Sequence, residues 1–414
     1  MTDPVWIGDI LAAARPQAMA ALLRQFRDLD TAEEAFQEAC LRAVRTWPGN
    51  GPPRDAAGWL IMVGRNVAID GLRRRSRLAP LPAEEAEISD LADRETALVQ
   101  HLDEAGYHDD ILRLLFVCCH RDLPQTQQIA LALRVVSGLS VAQIARAFLV
   151  SEDAMEQRIT RAKRKVAAAR VPFEPPGAIE RSERLAAVLA MVYLVFNEGY
   201  TSDVAAQGAK AVLCEEAIRL ARLLLRLFPV EPEVMALAAL LMLQHARAAA
   251  RFDAAGQVVL LERQDRALWD RRLLLEGQAL IDKAVRHGRP GPYQIQAAIA
   301  ALHAAAPSAE ATDWNEISLL YGTLERMQPS PVVTLNRAVA VAKVHGPEAA
   351  LAIVEPLAAP LGGYFYYHGA RGAFLKQLGR LSEARAAFDR AIALARSPVE
   401  AAHIRDEIES LACP

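Results

Sequence analysis

Apolar residues recur at intervals of three and four along nearly all of this 414-residue chain, and sustained apolar–polar alternation is absent, so the pattern predicts an all-α protein. The clearest stretch is 138–170, GLSVAQIARAFLVSEDAMEQRITRAKRKVAAAR. Ser140 can cap a short helix whose apolar positions are Val141, Ile144, Ala145 and Phe148, and Ser151 can cap a second. In that second helix Met155, Ile159, Ala162 and Val166 step by four, three and four, which turns Asp153, Gln157, Thr160, Arg161 and Arg164 outward. The arrangement predicts a helix-turn-helix. Gln and Arg can pair with base edges in a major groove, while the later Lys and Arg residues suit phosphates. The same spacing also fits an ordinary amphipathic hairpin with a solvated basic face.

Nearer the N-terminus, Phe36, Cys40, Ala43 and Trp47 share one helical face and leave Glu33, Glu34, Gln37, Glu38 and Arg42 largely outside. In the next helix Trp59, Met62, Asn66, Ile69 and Arg73 lie near one another by spacing, a mixture of aromatic, amide and basic groups that suits single-stranded DNA. Trp59 fits a core position equally well. Toward the C-terminus, Ala338, Ala350 and Leu357 recur 34 residues later as Gly372, Ala384 and Ala391, the period of tetratricopeptide units. Upstream, LCEEAIRLARLLLRLFPVEPEVMALAALLML reads as another helix pair.

Pro and Gly cluster at 47–53, in the acidic stretch from Pro80, and at 171–177, which divides the chain into a helical unit (1–80), an acidic linker (81–107), a helix-turn-helix unit (108–172) and a C-terminal block (173–414). Net charge is only −3, but its distribution is uneven: Arg73, Arg74, Arg75 and Arg77 form one basic cluster and 158–170 another. Five cysteines without framework spacing fit a reducing cytoplasm. The longest apolar runs are about half of the roughly 20 residues that a spanning helix needs, so no membrane partner is expected. Adjacent Cys118 and Cys119 point about 100° apart on a helix and lack a second ligand pair, so neither a metal nor a cofactor is expected. No phosphate loop, nucleophile elbow or paired-carboxylate pattern stands out, which argues against an enzyme. In FNEGY, Asn197 and Gly199 are expected to end a helix and Tyr200 to pack; Asp265, Trp269 and Asp270 suit an interdomain contact.

The ordered segments AEEAFQEACLRA, GWLIMVGRNVAIDGLRRR and GLSVAQIARAFLVSEDAMEQRITRAKRKV resemble sigma factors of the extracytoplasmic-function (ECF) class of the sigma-70 superfamily over roughly the first 170 residues. The remainder, with FNEGY, LERQDRALWD and SPVVTLNRAVAVAKVHGP, resembles the tetratricopeptide-like extension of one ECF subgroup. The resemblance implies a region 2 domain, a region 4 helix-turn-helix domain and a helical repeat domain. It implies core RNA polymerase as partner of Glu33, Glu34, Gln37, Glu38 and Arg42. Capture of a minus-10 element would fall to Trp59, Arg65, Asn66, Asp70, Arg73 and Arg74, and reading of a minus-35 element to Gln157, Arg158, Arg161 and Arg164. The acidic linker takes the place of region 3 and would thread toward the polymerase cleft. Leu149 stands in the turn where many such units have Gly. The extension would regulate the sigma units or meet a protein or small-molecule regulator, with Asn197, Glu198, Tyr200, Asp265, Arg266 and Trp269 as contacts. The competing reading is a repeat scaffold or ligand-binding regulator that carries a helix-turn-helix; such a protein has no use for the two N-terminal segments.

Overall fold

The computed structural model describes residues 5–76, 104–120, 122–148, 150–168, 178–200, 204–253, 256–395 and 398–411. Among them the fold is helical throughout, with one isolated bridge between Phe252 and Val258. The chain forms two compact units, Met1–Val195 and Phe196–Pro414.

In the first unit, α1 (Val5–Phe26), α2 (Leu29–Asn50) and α3 (Ala56–Ser76) pack on one another. The α2 stripe behaves as its spacing predicts for Phe36, Ala43 and Trp47, all buried, while Cys40 sits at the edge of the stripe and is half-buried. Trp47 anchors a small core with Ile7 and Ala43, and Trp59 meets it edge-on at 5.4 Å. Helices α4 (Glu104–Cys118), α5 (Gln125–Val135), α6 (Val141–Ala147) and α7 (Glu152–Ala168) follow, and α4 packs along α1. The compact units divide further along the chain than the Pro-rich stretch at 171–177. The reason is that α8 (Ala178–Gly199) gives all but its last four residues to this unit, where Leu185, Val188 and Leu189 are buried and the Arg184 guanidinium lies 5.3 Å over Phe116.

The second unit begins with the end of α8, then α9 (Val204–Leu227) and α10 (Pro232–His245), the pair expected from the sequence. Apart from its last two residues and one near its start, α10 is buried on every side, which is what an almost uninterrupted apolar sequence dictates. Helices α11 (Arg271–Val285), α12 (Pro292–Ala305) and α13 (Trp314–Met327) surround and extend it. The repeat then emerges as the pair α14 (Pro331–His345) and α15 (Pro347–Val354), a short α16 (Ala358–Leu361), and the pair α17 (Phe365–Gln377) and α18 (Leu381–Leu394). Ala338 and Gly372 are buried at equivalent places on first helices, and Ala350 and Ala384 on second helices. Small residues there let each pair of helices approach closely. A last helix, α19 (Pro398–Glu409), covers α18.

Candidate nucleic-acid interface

Helix α6 starts at a full capping box: Ser140 Oγ accepts from Gln143 N at 3.1 Å, and Ser140 N donates to Gln143 Oε1 at 2.8 Å. Ser151 caps the start of α7 by accepting from Ala154 N. Inward, Met155, Ile159, Ala162 and Val166 are all buried. Outward, Asp153, Glu156, Gln157, Thr160, Arg161 and Arg164 line one open depression, so three of the four residues expected to read bases share a surface. Arg158, the fourth, is half-buried on the flank. Lys165 donates to the Asp122 carbonyl at 2.9 Å. Leu149 and Arg170 lie outside the described residues.

On α2, Glu34, Gln37 and Arg42 are exposed and Glu38 half-exposed, with a loose 4.0 Å ion pair between Glu38 and Arg42. Sequence reasoning missed their apolar companions, Leu41 (53% exposed) and Val44 (50% exposed). The signal was present: both fall on the polar side of a helix whose apolar stripe is already complete. On α3, Trp59 is half-buried against Trp47, whereas Arg65 and Asn66 are exposed two turns on. Asp70, Arg73 and Arg74 lie on α3, but their side chains are outside the described residues, as is the acidic linker.

Glu33 departs from expectation. It does not share the outward face of Glu34 and Gln37 but is 4% exposed, because it sits at the edge of the α2 stripe where α5 and α7 close over it. Three cations converge on its carboxylate: Lys163 Nζ at 2.6 Å, Arg134 Nε at 3.0 Å and Arg15 Nη2 at 3.8 Å. An uncompensated carboxylate at such depth would cost several kcal/mol, so the cations are what make the position tolerable. Lys163 also donates to Asp30 at 2.7 Å; burial works against its ammonium, and the bonds to Asp30 and Glu33 outweigh it and raise its pKa. Arg15 crosses from α1 to the C-terminal end of α5, donating from Nε to Val135 O at 3.0 Å and from Nη2 to Arg134 O at 3.1 Å. A cation at the carbonyl end of a helix is favoured there. Gly138, at φ +77°, leaves room for it: a Cβ at that position would lie 2.8 Å from Arg15 Cδ. Further along α1, Arg24 pairs with Asp110 of α4 at 3.1 Å.

The Sigma-70 region 2 family matches residues 10–78, and the Sigma-70 region 4 family matches 113–166. These two stretches carry the surfaces just described. The chain is an ECF-like sigma factor of the sigma-70 superfamily. The ECF RNA polymerase sigma factor BldN of Streptomyces coelicolor is 32% identical over 142 residues, 33% of this sigma factor and 50% of BldN. An uncharacterized protein of Rhizobium meliloti is 69% identical over 412 residues, covering 100% of this chain and 97% of that one, so the long extension is shared by both. Residues 184–285 match a family of unknown function, DUF6596. The crystal structure of yeast Tom70 aligns with 99% of this chain and 86% of its own, at 14% identity and a TM-score of 0.35.

In the extension of this sigma factor, Tyr200 stacks on Phe196 at 5.3 Å, takes a hydrogen bond from Arg247 on its hydroxyl and lies 3.6 Å beneath the Arg251 guanidinium. Asp265 and Asp270 cap helical turns within the second unit, accepting from Ala267 N and from Arg272 and Leu273 N respectively. Trp269 is 6% exposed under Arg266, whose guanidinium also donates to the His303 carbonyl. Burial, with Arg247 and Arg266 nearby, pushes His303 down to about 4, so this cluster holds a neutral imidazole at physiological pH. Asn197 and Asp265 keep exposed side chains. A groove of about 910 Å³ runs past Val332, Leu335, Val339, Tyr364, Tyr366 and Phe374. Cys118 and Cys119 are buried, and burial raises both thiols, Cys119 to about 12. Among the described residues no group of His, Cys, Asp and Glu is placed to hold a metal ion, and no helix is long and apolar enough to cross a membrane.

Proposed function

We propose that this sigma factor binds core RNA polymerase through the exposed face of α2, reads a minus-35 element with α7 and captures a minus-10 element with α3. The observation that carries the reading is the face of α7. Gln157, Arg161 and Arg164 are presented together while the four buried positions of the helix, Met155, Ile159, Ala162 and Val166, are all apolar, as suits a helix entering a major groove. Arg65 and Asn66 on α3 supply a cation and an amide for an unstacked base, with Trp59 supporting them from the core side rather than offering a free stacking ring.

Reconstituted transcription with core enzyme tests this reading. Replacing Arg161 or Gln157 with alanine should change minus-35 base preference by roughly 1 to 3 kcal/mol, whereas Lys165→Ala should weaken binding evenly across sequences. Loss of affinity with unaltered preference in all three would show that α7 touches only the backbone.

The extension acts, on this proposal, as a regulator in the same chain, setting how much of the sigma core is competent for polymerase. Asn197, Glu198 and Asp265 are its candidate contacts, and Tyr200, Arg266 and Trp269 shape the surface from within. Because α8 gives all but its last four residues to the first unit, a chain ending at residue 195 is the fair comparison with the full-length protein. Transcription should differ between them; equal activity and equal stability of the first unit would exclude a regulatory role.

A further inference from the structure

We propose that Glu156 of α7 makes this sigma factor select a cytosine in its minus-35 element. The proposal deepens the reading of α7 as the helix that meets that element, and it rests on that reading. Glu156 is exposed in the depression it shares with Gln157, Thr160, Arg161 and Arg164. It stands in the second turn of Glu152–Ala168, and the N-terminal part of a recognition helix is the part that faces base edges.

Nothing within the helix accounts for a carboxylate at this position. Glu152 and Asp153 fall in the first turn, where the helix dipole favours negative charge, but that effect fades beyond the first turn. The helical neighbours of Glu156 three and four residues away are Glu152, Asp153, Ile159 and Thr160, so it meets like charge on one side and no cation on the other. Among the described residues its side chain has no hydrogen bond or ion pair. It also belongs to a face that must approach a polyanion. Phosphates repel a carboxylate, so Glu156 is favourable there only against a base edge that donates a hydrogen bond. In the major groove guanine shows two acceptors, and thymine an acceptor and a methyl group. Adenine offers its N6 amino group but sets the N7 acceptor beside it, whereas cytosine offers its N4 amino group alone. Cytosine is therefore the base that suits Glu156.

The experiment uses the full-length protein with core polymerase on a promoter library randomised across both elements, with the transcribed sequences counted. Wild type should prefer cytosine about tenfold at one minus-35 position, the discrimination expected of one good base contact. Glu156→Gln, whose amide matches N6 and N7 of adenine, should move the preference at that position to adenine and leave the other positions unaltered. Glu156→Ala should level it. An even rise in transcription from all sequences with Glu156→Gln, on the wild-type base pattern, would show that the carboxylate only repels the backbone and would overturn the proposal. Arg161→Ala separates this failure from a deeper one. If Arg161→Ala alters the base pattern while both Glu156 variants keep it, Glu156 reads no base and the reading of α7 stands. If none of the three variants alters the pattern, the reading of α7 fails and the proposal falls with it.

Discussion

Phe388→Ala should lower the stability of the C-terminal helix pairs by about 3 to 5 kcal/mol, because it empties the centre of their core. Phe388 is 1% exposed and packs with Leu351, Leu375, Ala387 and Ile404. Its ring also explains the glycine opposite. A Cβ on Gly372 would meet Phe388 Cε1 at 2.5 Å and Cδ1 at 2.6 Å, closer than carbon atoms approach. In the wild type, Gly372→Ala should cost about 1 to 3 kcal/mol, since a ring enclosed on all sides cannot yield and overpacking outweighs the gain in helix propensity. In the Phe388→Ala background the same change should turn stabilising by about 0.5 to 1 kcal/mol, the usual advantage of alanine over glycine inside a helix. The measurement is urea-dependent hydrogen exchange at the amides of α17 and α18. A destabilising Gly372→Ala in both backgrounds would show that Phe388 is not what the glycine accommodates.

This pair also shows why the repeat was legible in the sequence. Close helix crossings demand small residues at fixed places, and Gly372 and Ala384 stand 34 residues after Ala338 and Ala350 for that reason. The helix-turn-helix was legible on similar grounds, because Ser140, Ser151 and the α7 stripe depend on contacts within a few residues of one another. Glu33 was not legible. Its helical position places it at the border of the polar face, and only the arrival of Arg134 and Lys163, 101 and 130 residues further on, turns that border inward. Asp265 and Asp270 were legible only in part: the sequence marks them as polar interruptions, and the capping of turns a few residues away leaves the same mark as a surface contact. Local chemistry can be read along the chain, whereas burial imposed by a distant partner cannot.

The exposed face of α2 is the place where such a distant partner should matter most. Reversing Glu34 and Glu38 to lysine should weaken binding to core polymerase roughly 100-fold. A surface built to meet opposite charge loses its attraction and gains repulsion, which is worth several kcal/mol, and about 1.4 kcal/mol is tenfold in affinity. The helix itself should not suffer. Both side chains lie outside the core, and the Glu38–Arg42 pair is solvent-exposed at 4.0 Å, of the kind worth about 0 to 1 kcal/mol. Leu41 and Val44 give a second, independent arm, because apolar side chains about half exposed beside those carboxylates gain by burial against a partner whatever its charge. Leu41→Ala should therefore weaken core binding by a margin that salt does not change, while the loss in the Glu34 and Glu38 variants should shrink as salt rises and screens the charge. Fluorescence titration of core enzyme at low and high salt reads both. Full affinity in the charge-reversed protein, with helicity intact, would remove this face from the polymerase interface.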